Sequence, residues 1–278
     1  MALGAQHGVE EKRRGMGFHG QIRPGHGQSG AARGDLAPYA PGFPPGGRWL
    51  VLSPHPDDEV FGPGATIAQA VTRGVEVRLV VVTDGGAQGD AARRELEARA
   101  GAAALGLGEP EFWRFRDRSL KPRDAGLRRA LRGALERYAP DVVFVTSPVE
   151  LHPDHRALAL ALPGVLRAVS LAGLRRRGRA WVAAYEVGTP LAPNLLVAAD
   201  EAWEAKRRAL ACHASQLDVR PYERVMEAFG ALRSLTLTGV GHAEAVHVLP
   251  ARLVARLSAR RWASLMGSPA GVAVGRAG

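Results

Sequence analysis

The stretch WLVLSPHPDDEVFGPGATIAQAV (residues 49–71) joins an apolar run, a polar turn and an apolar helical pattern. Residues 49–53 predict a buried strand, and residues 64–74 predict a helix that ends at Gly74. The turn between them, HPDDE (55–59), places an imidazole and three carboxylates at the end of that strand. Like charges this close repel one another, so the turn is either a polar turn with N-capping aspartates or a site for a cation.

Strand and helix patterns alternate along the rest of the chain. The further predicted strands are residues 76–83, 111–115, 141–147, 180–187, 194–199 and 243–250. The further predicted helices are residues 90–107, 124–139, 155–168 and 200–214. This alternation predicts an α/β fold, Rossmann-like, with a mostly parallel sheet covered by helices on both faces.

The two ends of the chain differ from this middle part. Residues 1–48 are rich in Gly, Pro and Arg and lack periodic apolar positions, so they predict a disordered tail. The folded domain is expected to begin near Trp49 and to end at residue 250. Residues 251–266 predict a basic amphipathic helix before a flexible C-terminus ending at residue 278. We expect its apolar face to pack on the domain, with association at a membrane surface as the alternative.

The composition fits a soluble globular protein, with 46% hydrophobic and 23% charged residues. The net charge is +10, but the basic residues are scattered and match no nucleic-acid-binding module, so no nucleic acid is expected as a partner. The single cysteine, Cys212, excludes an internal disulfide and favours a reducing compartment. Residues 1–20 lack the apolar core of a signal peptide, and no apolar run has transmembrane length. We therefore expect a cytoplasmic protein without membrane insertion.

A second polar cluster, SPVELHPDH (147–155), follows the strand predicted at 141–147. Ligands of open α/β sheets gather at the carboxyl ends of strands, so HPDDE and HPDH are expected to converge. Taken singly, each cluster also fits a solvated loop. Two histidines and a carboxylate form a three-ligand set with an open fourth position, as catalytic zinc requires, whereas structural zinc is closed by four protein ligands. Residue chemistry alone lets Asp57 and Asp58 exchange the roles of ligand and general base.

Six motifs, in order along residues 49–250, resemble the LmbE/PIG-L family of zinc-dependent N-acetylglucosaminyl deacetylases. They are HPDDE (55–59), VVVTDGG (80–86), RELEARAGAAALG (94–106), HPDH (152–155), KRRALACHASQ (206–216) and AEAV (243–246). The loop SPVEL (147–151) departs from members that carry a tyrosine and a glycine-rich loop there. That departure argues against the thiol-cofactor precursors on which those members act.

The resemblance also implies roles for individual residues. The implied zinc ligands are His55, Asp58 and His155. Asp57 is implied as the general base that accepts a proton from the attacking water, and His152 as the electrophilic or acid partner near the leaving amine. Asp154 is implied to orient an imidazole. We expect Arg94 on the surface of its helix, and His213 and Gln216 either lining the pocket or at a helix end.

The implied activity is metal-dependent removal of an N-acyl group, above all N-acetyl, from an amino sugar or its glycoconjugate, a small-molecule substrate. Zinc is the expected cofactor, and Fe²⁺ or Co²⁺ also suit His and Asp ligands. Two alternatives remain open from the sequence. One is a metal-dependent amidase that acts on a non-sugar N-acyl or conjugate substrate. The other is a catalytically silent glycan-binding module that has kept the metal site.

Overall fold

A computed structural model describes residues 41–169 and 180–267. Seven strands of these residues form one sheet: β1 Arg48–Ser53, β2 Glu76–Thr83, β3 Glu111–Phe115, β4 Val142–Thr146, β5 Trp181–Tyr185, β6 Leu195–Ala198 and β7 Ala243–Pro250. Their order across the sheet is β3-β2-β1-β4-β5-β7-β6. Strands β1 to β5 pair in parallel, whereas β7 is antiparallel to both β5 and β6. The predicted mostly parallel sheet is confirmed.

The helices follow the strands in the predicted alternation. They are α1 Asp58–Phe61, α2 Gly64–Thr72, α3 Ala91–Ala104, α4 Ala125–Tyr138, α5 Pro153–Ala168, α6 Asp200–Ala211, α7 Ala214–Leu217, α8 Tyr222–Ser234, α9 Ala251–Val254 and α10 Ala259–Leu265. Asp90 caps α3 as predicted, because its side chain accepts a hydrogen bond from Ala92 N. Helix α5 begins two residues earlier than expected, because His152 is its N-cap and Pro153 its first residue.

The single helix predicted at residues 251–266 is wrong. Two short helices, α9 and α10, are separated by residues 255–258. The break has a local cause, since the Ser258 side chain accepts a hydrogen bond from Arg261 N and starts a new helix. Val254 and Trp262 are fully buried in the main core. The expected packing of this segment on the domain is confirmed.

The sheet separates two apolar cores. Alternate residues of a strand point to opposite faces, so Leu50 and Leu52 enter one core while Trp49 and Val51 enter the other. The first core is completed by α4, α5, α9 and α10, and the second by α2, α3 and α6. Central strands that are buried on both faces read as continuous apolar runs, which is why the sequence identified them.

A buried ion pair fixes the segment after α1. Lys206 Nζ lies 2.6 Å from Glu244 Oε1 and also donates hydrogen bonds to the carbonyl oxygens of Phe61 and Gly62. Glu244 in turn accepts hydrogen bonds from two backbone N–H groups at the start of α2. Both charged side chains are almost fully buried. The pair therefore holds the α1–α2 junction, and with it the HPDDE turn, against α6 and β7.

The folded domain begins before the predicted boundary. Gly42 N donates a hydrogen bond to Leu196 O, and the Phe43 ring packs 5.4 Å from the Trp49 ring. Residues 41–48 thus belong to the domain, and placing them in the disordered tail is a prediction that the structure corrects. The tail residues 1–40 and the C-terminal residues 268–278 lie outside the described residues. Within the described ranges no helix is both long and apolar enough to cross a membrane.

Candidate metal centre

The HPDDE turn connects β1 to α1 in a strained and fully buried conformation. Asp57 has a φ of 141°, a region that non-glycine residues rarely occupy. Ser53 Oγ lies 2.7 Å from Glu59 Oε2 and also accepts a hydrogen bond from Glu59 N. Ser53 and Glu59 are both completely buried, so their contact closes the turn from inside. A strained turn of this kind persists where the surrounding structure over-determines it, which is typical of functional sites.

Three side chains from the two predicted loops converge on one point. His55 Nδ1, Asp58 Oδ2 and His155 Nε2 form a triangle in which each pair of atoms is 3.1 Å apart. Ligand atoms bonded to a tetrahedral zinc ion at about 2.0–2.2 Å lie roughly 3.3–3.6 Å from one another. The three atoms therefore fit a divalent metal ion after a displacement of a few tenths of an ångström. The predicted convergence arises because β1 and β4 are neighbours in the sheet.

The second nitrogen of each ligand ring faces a carboxylate. His55 Nε2 lies 3.2 Å from Asp117 Oδ1 and 3.5 Å from Asp154 Oδ2. His155 Nδ1 lies 3.6 Å from Glu150 Oε2. These contacts lack hydrogen-bond geometry, but a carboxylate on this side of the ring favours a proton on the outer nitrogen and leaves the inner one free to bind a metal. Asp154, which the resemblance implied to orient an imidazole, lies beside that of His55, while Asp117 and Glu150 were not predicted.

The charges around the triangle favour a cation at its centre. Burial raises the pKa of Asp58, but His155 and His55 outweigh it and hold that pKa well below its usual range. Burial lowers the pKa of His155, yet Asp58 and Glu150 outweigh it and raise that pKa to about 9. The site therefore stabilises positive charge, carried either by protons on the two rings or by a metal ion that replaces them.

Asp57 lines the same cleft as the triangle but pairs with Arg94. Arg94 Nη2 lies 3.0 Å from Asp57 Oδ2, and the same guanidinium donates hydrogen bonds to the carbonyl oxygens of Pro56 and Gly85. Burial raises the pKa of Asp57 to about 7, although Arg94 opposes the shift. Only 3% of Arg94 is exposed, so its expected position on the helix surface is wrong. The helical pattern of residues 90–107 marked its position but gave no sign that it turns inward.

His152 caps α5 and faces both ligand histidines. Its Nδ1 accepts a hydrogen bond from Asp154 N at 3.3 Å, so its proton lies on Nε2. Its ring centroid lies 4.4 Å from that of His55 and 5.2 Å from that of His155. Burial, together with the two nearby histidines, lowers the pKa of His152 to about 4. The imidazole is therefore a neutral donor at neutral pH.

These groups line one open cleft. Its walls combine polar residues of both loops with an apolar side that includes Leu151, Phe61 and Tyr222. Gln216 also lines the cleft, whereas His213 is completely buried behind it and contributes no surface. Asp117 could have been found by its position directly after β3, at the same edge of the sheet as the two predicted loops.

The chain is similar to known proteins over most of its length. Residues 50–165 match the PIG-L family, described as GlcNAc-PI de-N-acetylase. A diacetylchitobiose deacetylase of Thermococcus kodakarensis is 29% identical over 72% of this chain and 82% of that protein. Two solved structures align over nearly the same region. The N,N′-diacetylchitobiose deacetylase of Pyrococcus horikoshii is 27% identical, with a TM-score of 0.63 over 74% of this chain and 85% of that chain.

The second solved structure is a conserved protein of Thermus thermophilus. It is 30% identical, with a TM-score of 0.62 over 72% of this chain and 93% of that chain. The family match, the related sequences and the solved structures all agree with the resemblance that the six motifs show. The chain belongs to the PIG-L (LmbE-like) family.

Proposed function

We propose that this protein is a metal-dependent hydrolase that removes an N-acetyl group from a small amino sugar or its glycoconjugate. The observation that carries the proposal is the joint placement of the donor triangle and the Asp57 carboxylate in one open cleft. Two relatives named as diacetylchitobiose deacetylases support the amino-sugar substrate class. The lone cysteine is stable as a thiol in the cytoplasm, which we propose as the compartment.

His55, Asp58 and His155 are the residues that would hold the metal, and zinc is the ion that we propose. Their donor atoms suit it because two imidazole nitrogens and one carboxylate oxygen leave a fourth position open. Fe²⁺ and Co²⁺ accept the same donor set. When bound, such an ion supplies Lewis-acid polarisation of an acyl oxygen and makes water more acidic.

Asp57 is proposed as the general base. Its pKa of about 7 matches the task, because a base that titrates near the working pH can both accept a proton and return it. Arg94 holds Oδ2, so the other carboxylate oxygen is left to accept the proton of the attacking water. The same oxygen can then pass that proton to the departing amine.

His152 is proposed to stabilise the oxygen of the tetrahedral intermediate. Because Nδ1 accepts the Asp154 N–H, the protonated Nε2 is the atom available to donate a hydrogen bond into the cleft. The low pKa keeps this ring neutral at pH 7, so it acts as a hydrogen-bond donor and not as a strong acid. Asp57 is then the proton carrier for the leaving group.

A substrate screen separates this function from its alternatives. The metal-loaded protein is incubated with N-acetylglucosamine, N,N′-diacetylchitobiose, N-acetylated glycosides and N-acetyl amino acids, and acetate release is measured. The proposal expects acetate from the sugars and little from the amino acids. The opposite preference indicates the amidase. Binding of the sugars without any acetate release indicates the silent glycan-binding module.

A further inference from the structure

A second groove adjoins the metal cleft. It is lined by the loop after β3, residues 116–119, and by residues of the turn after β2, residues 84–87. Asp117 lines both the groove and the cleft, and its Oδ1 faces the His55 ring. The groove and the cleft therefore share this one side chain as a wall.

The groove is lined by two arginines and two aspartates. Arg116 and Arg118 are exposed, and neither guanidinium forms an ion pair with any residue in the described ranges. The two aspartates of the groove accept backbone hydrogen bonds and form no ion pair with either arginine. Asp84 Oδ1 accepts hydrogen bonds from the backbone N–H groups of Gly86 and Asp117, and Asp117 Oδ2 accepts one from residue 87. The groove therefore offers two arginines with no carboxylate partner on the protein.

The backbone places Arg118 at an energetic cost. Its φ is +61°, which glycine adopts without steric strain and other residues do not. Asp154 stabilises this conformation. Arg118 N donates a 2.6 Å hydrogen bond to Asp154 Oδ2, and Leu120 N donates one to Asp154 Oδ1. The Arg118 side chain therefore extends from a backbone segment that Asp154 fixes.

We infer that this groove binds an anionic substituent, a phosphate or a carboxylate, on the amino-sugar substrate. The inference rests on the proposed deacetylase function and names its substrate class. Guanidinium groups recognise both kinds of anion through paired, charge-assisted hydrogen bonds. The Asp154 carboxylate that fixes the Arg118 turn also lies 3.5 Å from His55 Nε2, so the backbone from which the arginine extends is held close to the metal centre.

The test compares charged and neutral substrates. kcat/KM for acetate release is measured with N-acetylglucosamine 6-phosphate, N-acetylglucosamine 1-phosphate and N-acetylmuramic acid, each relative to neutral N,N′-diacetylchitobiose. In the double variant Arg116→Gln/Arg118→Gln this ratio should fall roughly 10- to 100-fold for the anion that fits, mostly through KM. The two phosphates and the carboxylate distinguish the sources of negative charge.

Arg118→Gly, which relieves the backbone strain, should keep the melting temperature and still lower the ratio.

The matched control is Arg129→Gln, an exposed arginine on α4 that lies outside the groove. It removes one positive charge and should leave the ratio unchanged. A ratio that is the same in the wild type and the double variant overturns the inference, as does an equal fall in Arg129→Gln.

A binding experiment keeps the inference separate from the proposed function. Calorimetry of the metal-loaded protein with glucosamine 6-phosphate and glucosamine should show tighter binding of the phosphate, and the double variant should lose that difference. Loss of the difference without any acetate release contradicts the deacetylase and supports the groove. Release of acetate with equal binding of the two sugars overturns the groove alone.

Discussion

Asp57 and Asp58 are adjacent in the sequence, but their carboxylates have different partners in the structure. Asp58 Oδ2 lies 3.1 Å from each of the two ligand imidazoles, whereas Asp57 Oδ2 lies 3.0 Å from Arg94. The residues alone allowed the two aspartates to exchange roles. The geometry supports Asp58 as the ligand and Asp57 as the base.

Substituting each aspartate by asparagine tests that assignment. Asp57→Asn should keep the metal and lower kcat by roughly 10²- to 10⁴-fold, because an amide cannot accept the proton. Asp58→Asn should lower metal occupancy, because it weakens one of only three protein ligands. Metal content and turnover are measured on the same preparations. The assignment is reversed if Asp57→Asn loses the metal while Asp58→Asn retains it.

We expect Asp117 to act on the metal centre through His55, whose Nε2 it faces. Asp117→Asn should weaken metal binding about 10- to 100-fold, because the amide no longer favours the ring tautomer that binds the metal. Competition with a chelator of known affinity measures the effect. Asp90→Asn is the matched control, since asparagine caps a helix as well as aspartate does. Equal metal affinity in both variants and the wild type would remove Asp117 from the site.

At the scale of elements, the sequence predicted what burial and periodicity determine. The strand at residues 76–83 matches the structure because its apolar run is continuous, and the helix around residues 91–104 matches because strong helix formers follow the Asp90 cap. The break at residues 255–258 was missed because the amphipathic pattern continues across it, and the Ser258 cap outweighs that pattern. The burial of the Arg94 side chain was also missed, because its hydrogen-bond partners lie in loops outside its own helix.

The packing of α7 against α3 places a neutral histidine in the interior. His213 is completely buried, and neither ring nitrogen has a hydrogen-bond partner among the described residues. A Cβ atom at Gly101 would lie 2.7 Å from His213 Nε2, so the two elements are in close contact. Burial lowers the pKa of His213 to about 4.

This burial makes the fold sensitive to acid. The unfolded chain binds a proton at His213 below about pH 6.5, whereas the folded chain does so only near pH 4. The free energy of unfolding should therefore fall between these pH values, by up to about 1.4 kcal/mol per pH unit from this group. Urea unfolding of the wild type and His213→Leu at pH 7 and pH 5 measures the difference. Parallel losses of stability in the two proteins would contradict a buried neutral ring.

At the scale of the whole molecule, the topology converts two distant motifs into one site. Residues 55–59 and 152–155 meet because β1 and β4 are parallel neighbours, and parallel strands share their carboxyl edge. The sequence could predict this convergence from the alternating pattern. It did not assign a role to Asp117 or Glu150, although each follows a strand at the same edge of the sheet, because their contacts with the two imidazoles exist only in the folded chain.

The N-terminal boundary is also a property of the whole fold. Deleting residues 1–46 should lower the melting temperature by about 2–8 °C relative to deletion of residues 1–40, because it removes roughly 1–2 kcal/mol of contacts. The lost contacts include the Gly42–Leu196 hydrogen bond, the hydrogen bond from Trp49 Nε1 to Pro45 O, and the packing of Phe43 on Trp49 and Arg73. Differential scanning calorimetry of the two truncated proteins measures the shift. Identical melting temperatures would indicate that the N-terminal tail extends to residue 48, as the sequence predicts.

The central claim is that a metal ion held by His55, Asp58 and His155 is required for deacetylation. The most direct measurement is a titration of Zn²⁺ into chelator-treated protein while acetate release from N,N′-diacetylchitobiose is recorded. We predict that activity rises linearly to one ion per chain and then stays constant, and that His55→Ala and His155→Ala show no such rise. Undiminished acetate release from the metal-free protein, or none from a protein that holds one ion per chain, would contradict the claim.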